Sequence, residues 1–301
     1  MNASPHNRRP WARALGLVLL AFAGCRTAPP DSEAAFSTGV TAARTQSQEA
    51  FSAINELVGD ALVDYAATQP RLLESSFAAG LDDDSLQAWD EVLEKLESYA
   101  QHLESLSSPQ LTKRFEDATV NLSGELRNLG QHLQQAGLAG KSPELTPGLA
   151  TDFTELAELI IRFHSNARAR DVLKNTDTEV GRICRSLGNS IGATRTNGLR
   201  GTVTAHWTQR LAEQKAEFLS KTNYTDRRAL AATFRKLLQC QTSQDLILLS
   251  LRRSLLHLAD LHHALAQGDP LTAQSASAAI ANEVQHTRDL YGRYTANPVN
   301  P

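Results

Sequence analysis

Glu283 and His286 stand three residues apart. That i, i+3 spacing is how helical bundles present a carboxylate and an imidazole to a di-iron centre. Asp260 and His263 repeat it a little earlier, so a metal held between two helices would be their chemistry. The levels do not match. His263 lies five residues before Gly268, and His286 seventeen after Asp269. In an antiparallel hairpin turning at Gly268-Asp269, the two histidines differ by about 12 residues, or ~18 Å along the axis. They cannot share an ion. His257 and His262 fare no better, because positions i and i+5 on a helix point ~140° apart. No CxxC or Cys/His zinc spacing is present, and the sequence implies neither a metal nor any other cofactor.

Nucleophilic chemistry has no better footing. There is no G-x-S-x-G, HExxH, P-loop or dinucleotide fingerprint. Ser, His and Asp are plentiful, but no set of them reads as nucleophile, base and stabiliser, so the chain reads as a non-enzyme. Asp82, Asp83 and Asp84 lack the remaining ligands of a calcium loop and suit the first turn of a helix, where the dipole favours negative charge. Gln241 and Gln244 interrupt an apolar seam. Amides so placed form a polar core layer that fixes register, line a ligand cavity, or sit wet in a gap of the bundle.

Cys25 is the residue with the clearest assignable chemistry. Arg8, Arg9 and Arg13 precede an apolar run of eleven residues, 14 to 24, and no acidic residue occurs before Asp31. Eleven is too few to cross a bilayer core, which takes roughly 20 in a helix. The run suits the h-region of a signal peptide, and small Ala23 and Gly24 open the bond before Cys25 to a peptidase. Residues 1–27 resemble the type II signal peptide of bacterial lipoproteins, with Phe22 where Leu is usual. The resemblance implies that Cys25 becomes the mature N-terminus, with diacylglycerol on its sulfur and usually a palmitate-like chain on its nitrogen. Several chains, each contributing about 0.8 kcal/mol per buried methylene, anchor where one would not. Arg26 does not resemble the Asp that retains such proteins at the inner membrane. The resemblance therefore favours the outer membrane, facing the periplasm, in a Gram-negative cell.

The mature chain of 277 residues is long enough for one large domain or two small ones. An oxidising envelope permits Cys184 and Cys240 to pair. Cys184 also shares a helical stripe with Val180, Leu187 and Ile191, which suits a buried free thiol. Charge divides unevenly. Residues 31–160 carry 22 acids and 7 bases, a net of −15, while 161–301 carry 11 acids and 19 bases, a net of +8. Complementary packing of acidic on basic helices accounts for this. A basic face running from Arg162 to Arg253 and aimed at anionic lipid is the other account, less favoured because no dense Lys/Arg cluster stands out. Nucleic acid is not expected, for want of a basic motif interleaved with aromatics.

Every extended apolar pattern has the helical period. Phe51, Ile54, Val58, Ala61 and Tyr65 form one stripe, and Leu86, Trp89, Leu93, Leu96, Ala100 and Leu103 a second. A third includes Leu111, Phe115, Ala118, Leu122, Leu126, Leu129 and Leu133, and a fourth runs from Leu149 to Phe163. The longest steps by 4 and 3 from Leu230 to Leu265, predicting a helix over 226–267, ~60 Å long. Pro70, Ser108-Pro109, the loop 137–147, Asn197-Gly198, Asn223 and Asp269-Pro270 punctuate the pattern, and Thr176 with Glu179 fits a capping box. Glycines 181, 188, 192, 198 and 201 predict close backbone approach or a bend.

Short links favour antiparallel neighbours. The expected fold is all-α, an elongated antiparallel multi-helix bundle with coiled-coil-like packing. The expected organisation is a signal peptide over 1–24, a partly helical tether over 25–48, and the bundle over 49–297, with a division into sub-bundles near 137–147. The expected function is a lipid-anchored envelope module, structural or protein-interacting. Its partners are the membrane, through Cys25, and a protein that the sequence does not name. Contact surface is expected near Trp89, Trp207 and the 181–201 region. The alternatives are a small-molecule-binding bundle with a cavity at Gln241 and Gln244, and an immunity or exclusion lipoprotein.

Overall fold

The computed structural model describes residues 32–68, 71–72, 81, 83–106, 112–138, 147–163 and 169–296. Eight helices account for nearly all of them: α1 Ser32–Thr68, α2 Asp83–Leu106, α3 Thr112–Leu138, α4 Pro147–Phe163, α5 Ala169–Ile191, α6 Gly198–Ser220, α7 Tyr224–Gln267 and α8 Pro270–Ala296. The fold is an all-α multi-helix bundle, with no strand among the described residues.

Helix α7 is the spine. Its 44 residues span ~66 Å. The 4,3 stripe explains why it is buried: Leu237, Leu248, Leu251, Leu255 and Leu258 are fully enclosed. Asn223 starts the helix by accepting the Thr225 N–H on its side chain. Gly268 ends it at φ +71°, and its N–H returns to the Ala264 and Leu265 carbonyls. Asp269 then caps α8 by accepting from the Leu271 and Thr272 N–H groups, with Pro270 as the first helical residue.

Helix α1 lies antiparallel to α7. Gly39 faces Leu258 and Leu261 at one end, and the Lys236 ammonium donates to the Asp60 carbonyl at the other. A Cβ on Gly39 would stand 3.0 Å from Leu261, so this glycine permits the close approach. Phe36 and Val40 are completely buried. Residues 32–48, expected in the tether, are part of helix α1, and residues from Ser32 onward make one compact unit. Its core is its own.

Helices α5 and α6 depart from the antiparallel expectation for short links. Asp177 of α5 meets His262 and His263, and Gly188 meets Leu256. Further along α7, Trp207 of α6 meets Gln244, and Phe218 stacks under Arg227. The two helices thus follow one another in the same direction along α7. Thr176 lies within the unbroken α5 rather than at a cap, and its hydroxyl is 2.7 Å from the Val172 carbonyl. Gly188 serves close packing, while Gly192 (φ +102°) and Gly198 (φ +58°) make the bend.

Acidic and basic segments do meet. Arg288 forks onto Glu49 at 2.8 and 2.9 Å, and Arg182 sits between Asp152, Glu155 and Glu179. Within the acidic half, Arg44 gathers Asp90, Glu94 and Glu97.

Candidate functional site

A set of titratable groups reaching from the core to the surface lies where α2, α5 and α7 converge beside Phe36 of α1. Tyr99 comes from α2, Thr176 and Asp177 from α5, and His262 and His263 from α7. The 4,3 seam of α7 turns His262 inward and leaves its neighbour His263 exposed. His262 presents Nδ1 to Asp177 at 3.3 Å and Nε2 to the Tyr99 hydroxyl at 3.0 Å. Asp177 also takes His263 Nδ1 at 2.7 Å. The Tyr99 hydroxyl stands 2.6 Å from Thr176 Oγ1. Ring edges of Phe36 pack on both Tyr99 and His262.

The neighbours assign the tautomer. An ionised Asp177 only accepts, so the His262 hydrogen sits on Nδ1, and Nε2 accepts from Tyr99. Burial pushes the His262 imidazolium down from its ordinary range, against an opposing pull from Asp177. Hydrogen bonding from His262 holds the Asp177 carboxyl below the ordinary carboxylate range. Burial raises the Tyr99 phenol far above its ordinary value. The chain Thr176, Tyr99, His262, Asp177, His263 is a hydrogen-bonded line from core to surface. Chemically it resembles an acid–base relay. Its inner end is closed by the helix backbone, where Thr176 Oγ1 meets the Val172 carbonyl, and the Tyr99 hydroxyl, both His262 nitrogens and both Asp177 oxygens are each bonded to another member. What the arrangement does is join three helices through directional bonds, which fix their register more narrowly than apolar contact.

A second polar layer lies lower on α7. Gln244 is fully buried, accepts the Trp207 indole N–H and donates to the Ile54 carbonyl at 3.3 Å. Gln244 therefore lies in the core with the Trp207 indole against its amide. Gln241 is only half-buried and does not join it. Trp89 and Trp207, expected near contact surface, are 1% and 0% exposed. Burial takes the apolar area of both indoles out of water, and Trp207 also finds a partner for its N–H on the α7 seam. A third layer joins Gln46, Ser250 and Thr287, where Gln46 Nε2 donates to Thr287 Oγ1 at 2.8 Å.

The remaining candidates separate. Asp260 pairs with His257 at the surface, 3.6 Å away, and Glu283 accepts from Ser250. No group of three or more His, Cys, Asp or Glu side chains placed to hold a metal ion occurs among the described residues. Cys184 and Cys240 are both free and buried, and the Cys240 thiol donates to the Leu57 carbonyl. Cys25 and Asp82 lie outside the described residues. Sequence reading missed the Asp177 cluster because its members come from three helices. The available signal was His262 itself, a histidine on an otherwise leucine seam. No helix among the described residues is long and apolar enough to cross a membrane. No family model, curated protein or solved structure matches the chain.

Proposed function

We propose that the chain is a lipid-anchored cell-envelope protein whose helical bundle acts as a structural or protein-interaction module. The observation that carries this is Cys25, set behind a basic stretch and a short apolar run ending in Ala23-Gly24. Acyl chains on that cysteine would hold the bundle at a membrane, on the periplasmic face of the outer membrane in a Gram-negative cell. The internal polar layers support the same reading. Tyr99, His262 and Gln244 are used to hold helices in register, which suits a part whose work is done by its outer faces.

The anchor is tested by Cys25→Ala. The variant should lose labelling by an acyl-chain probe and leave the membrane fraction, and undiminished labelling would refute the assignment. The interaction role is tested by cross-linking in intact envelopes followed by solubilisation. A defined adduct with one protein is expected, and monomer alone across several cross-linker chemistries would count against it.

A further inference from the structure

The α6–α7 hairpin carries a surface that the charge distribution along the chain does not display. At its base it is packed: Tyr65 of α1 meets Arg210 and Glu213, and Leu230 and Leu237 are buried. Past that level, residues 222–229 are all exposed. Leu219 and Tyr224 flank the turn and are 80% and 76% exposed. They are a large aliphatic and a large aromatic side chain, with four residues between them across a tight connection.

What surrounds them is cationic. Residues 214–236 contain six Lys or Arg and two acids, Glu217 and Asp226, a net of +4. In sequence these cations are spread over 22 residues. Folding the segment into a hairpin brings them together, since Lys215 sits over Phe234 and Arg227 lies 4.3 Å from the centre of the Phe218 ring. Glu217 pairs with Lys221 at 3.7 Å, a long surface contact that leaves the net charge of the segment unchanged. Arg227 and Arg228 stand exposed beside Tyr224.

From these observations we infer that the α6–α7 tip docks on an anionic lipid surface, inserting Leu219 and Tyr224 at headgroup level with Lys221, Arg227 and Arg228 on the phosphates. Tyrosine favours the membrane interface, where its ring meets acyl chain and its hydroxyl meets water. Lys and Arg extend their stems along apolar surface and keep their charge at the headgroups. Basic residues close to an anionic leaflet attract it, within a Debye length. An acidic protein groove would satisfy the charges. It has less claim on a tip where the two apolar groups project singly and no helix face accompanies them. The inference is independent of acylation at Cys25. The tip lies ~50 Å along α7 from Leu258, where α1 has barely begun.

The test uses the unit Ser32–Pro301, which lacks Cys25 and has its own core. Its co-sedimentation is measured with vesicles of phosphatidylcholine containing phosphatidylglycerol, and with phosphatidylcholine alone. Binding should require the anionic lipid, weaken with salt, and fall about fivefold for each cation removed in Arg227→Gln and Arg228→Gln. Leu219→Ser with Tyr224→Ser should abolish the part that survives salt. All four positions are exposed, and an unchanged circular dichroism melt would confirm folding. Independently, a polarity-sensitive fluorophore on Leu219→Cys should shift to the blue on anionic vesicles only. Equal binding to both vesicle types, binding indifferent to Arg227 and Arg228, or an unshifted fluorophore in the bound state would overturn the inference. So would tip-to-tip dimerisation without vesicle binding.

Discussion

Arg200 and Asp245 meet inside the bundle, Nε to Oδ1 at 2.9 Å, with side chains 6% and 5% exposed. The pair joins the start of α6 to the middle of α7. The same guanidinium donates to the Gly192 and Ala193 carbonyls at 3.3 and 2.9 Å. Those carbonyls follow the end of α5, where intrahelical donors run out. Arg200 therefore closes the break between two consecutive helices and ties it to the spine, while Arg195 holds the other Asp245 oxygen from the surface.

Removing one partner leaves the other charge buried. Asp245→Ala is expected to destabilise the bundle by about 3–5 kcal/mol in urea unfolding. Replacing both, Arg200→Met with Asp245→Leu, should recover much of that loss. Arg195→Ala touches an exposed partner and should cost less than about 1 kcal/mol. Equal costs for Asp245→Ala and Arg195→Ala would show that the buried pair is not what secures the break.

Glycine substitutions should divide by geometry. Gly198 holds φ +58°, and a Cβ there would press on the Ser190 carbonyl and the Gly192 N–H. Gly198→Ala should cost more than about 1 kcal/mol. Gly59 and Gly124 lie within α1 and α3 with open space around the Cβ position. Alanine at either should stabilise by about 0.5–1 kcal/mol, through the lower entropy of the unfolded chain. Thermal melts of the three variants check the signs, and a stabilised Gly198→Ala would refute the strained turn.

How much of this was legible depends on how far apart the signals lie. The stripe from Leu230 to Leu265 placed α7 within two residues, because its burial repeats along one segment. Asn223, Gly268 and Asp269 were legible as breaks between helices because turn chemistry is local. The direction of α6 was not legible. A short link usually reverses the chain, and only the contacts of Trp207 with Gln244 and of Phe218 with Arg227, beyond that of Gly188 with Leu256, show that this one does not. Ala118 fits its stripe by spacing and is exposed in the fold, since period assigns a face and neighbours decide its width. The Asp177 cluster required α2, α5 and α7 to be placed before any of its bonds existed.

Stability should fall in mild acid. His102 is buried beside Thr119 and is pushed down to about 4 from an ordinary 6.5. Between those values the unfolded chain binds a proton that the folded chain refuses, so stability is lost as pH drops through the window. His262, lowered by burial, acts in the same direction. Asp177, whose folded value is depressed, contributes stability that disappears as pH falls through that value. Urea midpoints should decline from about pH 7 to about pH 4.5, and His102→Gln should decline less over the same span. A wild-type midpoint indifferent to pH would contradict neutral burial of these rings.

The two thiols of Ser32–Pro301 should be silent in the folded protein. Burial pushes both Cys184 and Cys240 up to about 12, which leaves almost no thiolate to react. A disulfide reagent should find no reactive thiol in the native state and both after denaturation. A pre-formed bridge would appear instead as no thiol in either state. Order of reaction carries more information. Cys240 lies toward the α6–α7 hairpin, where α7 surfaces are increasingly exposed, and its thiol is bonded to Leu57 of α1. Cys184 lies on α5, in the enclosed stripe of Val180, Leu187 and Ile191. Opening at the hairpin end needs fewer buried contacts to be broken than opening of α5, so it should occur at lower free energy. Under slow labelling in dilute denaturant, peptide mass spectrometry should find Cys240 modified before Cys184. The reverse order would mean that α1 grips the hairpin end of α7 more firmly than α5 grips the other.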